Sequence, residues 1–156
     1  MAKTKRSPAV ELGGLTEEQG RAWSAFLRAH ARTVRDMSED LATGGGMPLT
    51  HYDVLRQLAL APAERLRMAD LADRVLLSRP GLTGVVTRLE QQGLVSRESV
   101  RDDGRGLYAT LTAPGRRCLL AAHPTHVASI RRRFTDRYTA DELRVLTDLL
   151  DRLTAT

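Results

Sequence analysis

Four histidines, one cysteine and nineteen carboxylates are the groups of this 156-residue chain that could ligate a metal or act as acid, base or nucleophile. His123 and His126 stand three apart, a workable ligand spacing on a helix. Pro124 falls between them, His30 and His51 are distant in sequence, and no cysteine or carboxylate pair stands beside them. A hydrogen-bonded histidine is therefore the reading set against a metal-responsive site. Cys118 follows Arg116 and Arg117, and nearby positive charge favours the reactive thiolate. A thiol sensor is set here against a buried, inert cysteine. The motifs of nucleotide-binding, hydrolase and zinc-protease chemistry are all missing from the sequence: there is no phosphate-cradling glycine loop, no Gly-x-Ser-x-Gly and no His-Glu-x-x-His. The carboxylates are spaced as helix caps and solvated faces. The chain is expected to be no enzyme and to need no cofactor.

The arginines suggest binding instead. Lysine and arginine number 24 against 19 acidic residues, giving a formal charge of +5, and the only lysines are Lys3 and Lys5. Arginine makes forked contacts to phosphate and guanine, and neutralised phosphates release counterions. Between Glu64 and Arg105 the two signs nearly cancel; the surplus lies at Lys3, Lys5 and Arg6, at Arg116 and Arg117, and at Arg131–Arg133.

These groups need elements to position them, and 42% hydrophobic residues are enough for a core. Residues 1–14 read as a flexible basic tail, with no apolar segment that would make a secretory signal. Thr16 caps a helix with Glu17 and Glu18 in its first turn. Trp23, Phe26, Leu27, Val34, Met37 and Leu41 then form a stripe that ends at Gly44-Gly45-Gly46. At 1.5 Å per residue this helix is roughly 40 Å long, so much of it should meet something beyond its own domain. A second helix is expected from Thr50 to Leu60, stopped by Ala61-Pro62, and a short third from about Met68 to Val75. A fourth runs from Ser78 as N-cap to Gly93. The apolar period then changes. Leu94–Glu98 and Leu107–Thr112 read as strands around a turn containing Asp103-Gly104, and Pro114-Gly115 closes the hairpin. Helices follow from about Arg116 to Arg133, interrupted near Pro124, and from about Ala140 to Leu153. No apolar run approaches the roughly 20 residues of a membrane span. A single cysteine suits a reducing cytoplasm.

Helix, short helix, turn, helix and hairpin, in that order, make a winged helix-turn-helix. The fold class is mainly α with a small β-hairpin wing. The second helix of such a pair fits a major groove about 12 Å wide, and the hairpin tip reaches the adjacent minor groove. Ser78, Arg79, Pro80, Gly81 and Thr83 lie on the first turns of that helix, where base edges would be met. Thr87 and Arg88, a turn later, suit phosphates. Gly81 and Gly84 each cost roughly 0.8–1 kcal/mol against alanine in a helix, which implies close approach by a backbone or a DNA strand. Arg105 sits at the hairpin tip with Asp103 two residues before it to orient the guanidinium. A winged-helix module that binds only protein is the alternative, and it has no need of an arginine there.

The stretches Leu66-Arg-Met-Ala-Asp-Leu-Ala-Asp-Arg, Leu77-Ser-Arg-Pro-Gly-Leu-Thr, Thr87-Arg-Leu-Glu-Gln-Gln-Gly-Leu-Val-Ser-Arg, Asp102-Asp-Gly-Arg-Gly and Leu111-Thr-Ala-Pro-Gly resemble the MarR family of bacterial regulators. The resemblance covers about Leu15 to Leu153, and the Asp-Gly-Arg wing followed by Leu-Thr-x-x-Gly is its most specific part. It departs from the family at Pro80-Gly81, where a polar residue is common. The resemblance implies a cytoplasmic homodimeric repressor that binds double-stranded DNA at a palindromic operator, with no membrane association. Residues 15–154 would form one such domain: a reading lobe over about 50–112 and dimerisation helices over about 15–43 and 116–153. Leu15, Leu143, Leu146, Leu149, Leu150 and Leu153 would line the dimer interface, and Arg105, supported by Asp103, would be the minor-groove arginine. It also implies release by a small phenolic or aromatic ligand in a cleft lined by Trp23, Phe26, His30, Tyr52, Leu55, His126 and Ile130. The same residues would equally serve as ordinary core.

Overall fold

The structure, a computed structural model, describes residues 14–75, 77–99 and 106–155. The chain divides after Val34 into two compact units, and the first helix, α1 (Glu17–Gly44), runs through the division. Its start is a capping box: the Thr16 N–H donates to Oε1 of Gln19 (2.9 Å), and the Gln19 N–H donates back to the Thr16 hydroxyl (3.2 Å). Within the first unit Trp23 and Phe26 lie 6.0 Å apart between ring centroids and Phe26 and His30 lie 6.4 Å apart. Trp23, Phe26, Leu27 and Val34 are all exposed.

The second unit holds the remaining elements: α2 (Leu49–Ala59), a 3-10 turn (Pro62–Glu64), β1 (Arg65–Arg67), α3 (Met68–Arg74), α4 (Arg79–Gln91), β2 (Val95–Ser99), β3 (Leu107–Leu111), α5 (Ala113–Arg133), a second 3-10 turn (Thr135–Arg137) and α6 (Ala140–Asp151). The strands form one antiparallel sheet in the order β1-β3-β2. Arg67 faces Tyr108 and Tyr108 faces Glu98, so one row of side chains crosses all three strands. Leu66, Ala109, Leu111 and Val95 turn inward and join Leu41, Tyr52, Val54, Leu55, Leu58, Leu71, Leu82, Val85, Val86 and Leu89 in a single core.

Four sequence expectations change. The hairpin gains a third strand, β1, because Arg-Leu-Arg carries only one apolar residue and becomes a strand only where β3 offers it a ladder. Pro114 and Gly115 lie in the first turn of α5, with Thr112 as N-cap, rather than closing the hairpin. Proline tolerates that position because its missing N–H would have no partner there. The α5 helix also continues through Pro124. Proline deletes one backbone bond but keeps a helical φ, and side chains just beyond it hold the helix to the end of α1: Thr125 donates to the Gly44 carbonyl (3.3 Å) and Ser129 to Asp40 (2.6 Å). Leu60 ends up exposed, just beyond α2.

Asp40 organises the junction between the end of α1 and the end of α5. Arg133 grips it with Nε and Nη2, each at 3.1 Å, Arg132 approaches to 2.7 Å, and Ser129 is buried against it. Arg133 also reaches Asp36 at 3.4 Å. These donors, Arg133 first and then Ser129, hold the Asp40 carboxyl well below the usual carboxylate range.

Candidate nucleic-acid interface

The helix pair α3–α4 is fixed from below by apolar contact. Leu71 of α3 and Leu82, Val85, Val86 and Leu89 of α4 are buried. The start of α4 is set by Ser78, whose Oγ accepts the Gly81 N–H at 3.3 Å, and by Pro80 in the first turn. That leaves Arg79, Pro80, Thr83 and Arg88 on the exposed side, with Gly81 and Thr87 half-buried. The Thr83 hydroxyl donates to the Arg79 carbonyl at 3.1 Å. Between the helices lies a recess of about 220 Å³ lined by Met68, Ala69, Ala72, Arg79, Leu82 and Thr83.

The two glycines of α4 have little reason to be glycine within the described residues. A Cβ at Gly84 would meet only Nη1 of Arg88, at 3.7 Å, and one at Gly81 would meet the Ser78 hydroxyl at 3.1 Å. No backbone of another element presses on either. Gly115 is the opposite case, because a Cβ there would run into the Leu94 carbonyl and the Leu111 side chain.

Asp103 and Arg105, the expected wing-tip pair, lie outside the described residues. The base of the wing is described. On its inner side Nε of Arg97 donates to Glu90 of α4 at 2.8 Å, tying β2 to the reading helix and holding the Glu90 carboxyl below its ordinary range. On its outer side Arg65 stacks on Tyr108, 3.9 Å from the ring centroid, and approaches Glu98 at 3.5 Å. Arg67 lies 5.5 Å from the same ring and donates from Nε to the Tyr108 hydroxyl at 3.2 Å. The sequence reading had no role for Arg65, Arg67 or Tyr108. Their alternation across Leu66 and Ala109 was the available signal, once β1 is seen as a strand.

The basic surplus outside the reading helix is partly committed within the protein. Arg116 pairs with Glu64, and Arg132 and Arg133 with Asp40. Cys118 is half-buried against the core. Among the described residues no three His, Cys, Asp or Glu side chains gather as a metal site would require.

Of the residues assigned to a ligand cleft, Tyr52 and Leu55 are fully buried, while Ile130 and His126 are half-buried. Tyr52 lies between two histidines. Its hydroxyl is 2.7 Å from Nδ1 of His123, and its ring centroid is 4.2 Å from that of His126. Burial pushes the Tyr52 phenol above its ordinary value, with Arg56 opposing and Asp53 adding to the shift. Burial, then Arg56 and His123, lowers His126, whose buried Nδ1 finds no hydrogen-bond partner among the described residues. His51 is buried in α2 and lowered by burial and by Arg88. Trp23, Phe26 and His30 belong to the first unit.

A short helix, a capped reading helix and an antiparallel wing sheet define a winged helix-turn-helix protein. The comparisons agree. A model of the MarR family matches residues 45–106. The homoprotocatechuate degradative operon repressor of Escherichia coli is 36% identical over 104 residues, covering 67% of this chain and 68% of that protein. The crystal structure of Sco3205, a MarR family transcriptional regulator from Streptomyces coelicolor in complex with DNA, superposes with a TM-score of 0.84 at 33% identity, covering 90% of this chain and 89% of that one. AbsC, a MarR family regulator from the same organism, gives 0.82 at 33% identity over 90% of this chain and 95% of that one. The chain belongs to the MarR family of DNA-binding transcriptional regulators, which are not enzymes. No helix among the described residues is long and apolar enough to cross a membrane.

Proposed function

We propose that this regulator is a cytoplasmic bacterial repressor that binds a palindromic operator as a symmetric homodimer. Two copies of α4 would enter major grooves with half-sites about 10 bp apart centre to centre. The observation that carries this reading is the outward face of α4. It presents Arg79, Pro80 and Thr83 beside two glycines that no other element among the described residues crowds, which suits the close approach of a DNA strand. Ser78 and Gly81 would lie nearest the bases, Thr87 and Arg88 would take phosphates, and Arg105, oriented by Asp103, would enter the minor groove.

The reading lobe would cover about residues 50–112, with helices over about 15–43 and 116–153 making the dimer. Support for pairing comes from α6, none of whose residues is buried although Val145, Leu149 and Leu150 are apolar. Leu153, just beyond α6, is 70% exposed, and within the first unit Leu15 is 60% exposed. A small aromatic or phenolic ligand would release DNA by favouring a dimer with wrongly spaced reading helices. Homoprotocatechuate, named in the Escherichia coli relative, is itself an aromatic acid. The Tyr52–His126 pair offers such a ring both stacking and polar contact.

The test is fluorescence anisotropy with a duplex selected by the protein from a randomised pool. Arg79→Ala and Arg105→Ala should each weaken binding by about 1–3 kcal/mol and relax sequence preference. Wild-type affinity in both variants would remove α4 and the wing from recognition.

A further inference from the structure

We propose that the recess between α3 and α4 is a specificity pocket for the 5-methyl group of a thymine, so that each half-site of the operator carries a thymine whose methyl enters it. The inference rests on the DNA-binding reading of α4 and deepens it, naming a base group and the side chains that read it.

The recess measures about 220 Å³, and its walls are Met68, Ala69 and Ala72 of α3 and Arg79, Leu82 and Thr83 of α4. Ala69 is exposed while Met68 and Ala72 are half-buried, so the α3 wall opens toward solvent. Leu82 is buried and closes the recess on the core side. Ala69 and Ala72 stand three apart on one helix face, and their small side chains leave the space between the two helices. Thr83 adds a further apolar group. A threonine hydroxyl has one hydrogen to donate, and here it goes to the Arg79 carbonyl at 3.1 Å. What Thr83 offers to an incoming group is therefore its methyl and an oxygen lone pair, without a donor.

Position and chemistry agree. In helix-turn-helix docking the second helix occupies the groove while the first crosses the sugar–phosphate backbone, and the recess lies where the starts of the two helices meet. The base pairs line the major groove with hydrogen-bond donors and acceptors, and the thymine methyl is the apolar group among them. Alanine and the methyl of threonine are side chains suited to meet it. An apolar recess whose rim carries the exposed Arg79 and Thr83 thus favours that methyl over the hydrogen that cytosine carries on the same carbon. The space exceeds that of one methyl group, which leaves room for the C5 edge of the ring behind it. Arg79, on the same rim, has the forked donors that guanine O6 and N7 accept, so thymine and guanine are expected close together in each half-site.

The experiment takes the duplex that the full chain selects from a randomised pool and replaces its thymines by deoxyuridine, one symmetric position at a time. Uracil pairs as thymine does and lacks only the methyl. At one position the exchange should weaken binding, read by anisotropy, about fourfold for each half-site, the factor that corresponds to about 0.8 kcal/mol for one buried methyl group. At that same position 5-methylcytosine paired with guanine should bind better than unmethylated cytosine paired with guanine. Ala69→Leu fills the recess from an exposed helical position. With circular dichroism matching the wild type, this variant should lose affinity for the thymine duplex and bind the thymine and deoxyuridine duplexes alike. A selected half-site without thymine, or indifference to deoxyuridine at every position, would overturn the inference and leave the DNA-binding reading standing. A preference for thymine that Ala69→Leu keeps in full would also overturn it, because the methyl would then be read elsewhere. If the wild type selects no duplex at all, the DNA-binding reading falls and the inference falls with it.

Discussion

At the scale of single residues, charge is used in two different ways. Arginines on α4 face outward, while those at the end of α5 are drawn onto Asp40 and Asp36. Asp40→Asn should consequently lower the melting temperature at neutral pH, because the asparagine cannot pair with Arg132 and Arg133. The pH dependence has a definite sign. A carboxyl whose folded pKa is depressed contributes stability that is fully present above the unfolded value, about 3.9, and lost as pH falls toward the folded value. The gap in melting temperature between wild type and Asp40→Asn should thus be widest at neutral pH and narrow below about pH 4. A gap that stays constant through that range would show that the charge of Asp40 contributes nothing. Sequence alone offered no route to this cluster, since its members are some 90 positions apart and nothing in their spacing links them. The capping roles of Thr16 and Ser78 were legible because a cap is a local interaction with the helix it begins.

At the scale of elements, the period of apolar residues carried most of the fold. The six helices and the two longer strands follow from it, and Gly93, at φ 71°, stops the reading helix as its type implies. What periodicity missed depends on neighbours. A three-residue strand such as β1 has no period of its own, and Pro124 interrupts a helix only where tertiary contacts fail to carry the chain across it. Pro114-Gly115 was misread for a related reason. Gly115 looks like a turn glycine, yet it is required by the close approach of the Leu94 carbonyl to the first turn of α5. Gly115→Ala should therefore destabilise the protein by about 1–3 kcal/mol, the range for overpacking a tight contact. Thermal or urea unfolding will measure it, and a neutral result would mean that the β2–α5 junction yields readily. Gly84→Ala is expected to behave differently, with folding stability retained and DNA affinity reduced.

At the scale of the whole molecule, the winged helix-turn-helix arrangement and membership of the MarR family were both legible from motif order. The partly exposed apolar surface is what the single chain leaves unexplained. The α6 helix has a well-formed capping box at Thr139 and Glu142, yet buries none of its residues. A helix with a regular apolar stripe and no cover is stabilised chiefly by what packs on that stripe. Removing the chain from Ala140 onward should accordingly give a monomer or an aggregate, read by light scattering. A well-behaved dimer after truncation would place the interface elsewhere. The expected wing-tip pair, Asp103 and Arg105, lies outside the described residues, and its proposed role is tested by DNA binding.

The most direct test is anisotropy of the purified protein on its selected duplex, titrated with unrelated competitor DNA across a salt series. Saturation at two chains per site, with binding that survives excess competitor, is expected. Equal affinity for both DNAs, falling steeply and identically with salt, would reveal only the electrostatic attraction of a basic protein and would contradict sequence-specific recognition by α4.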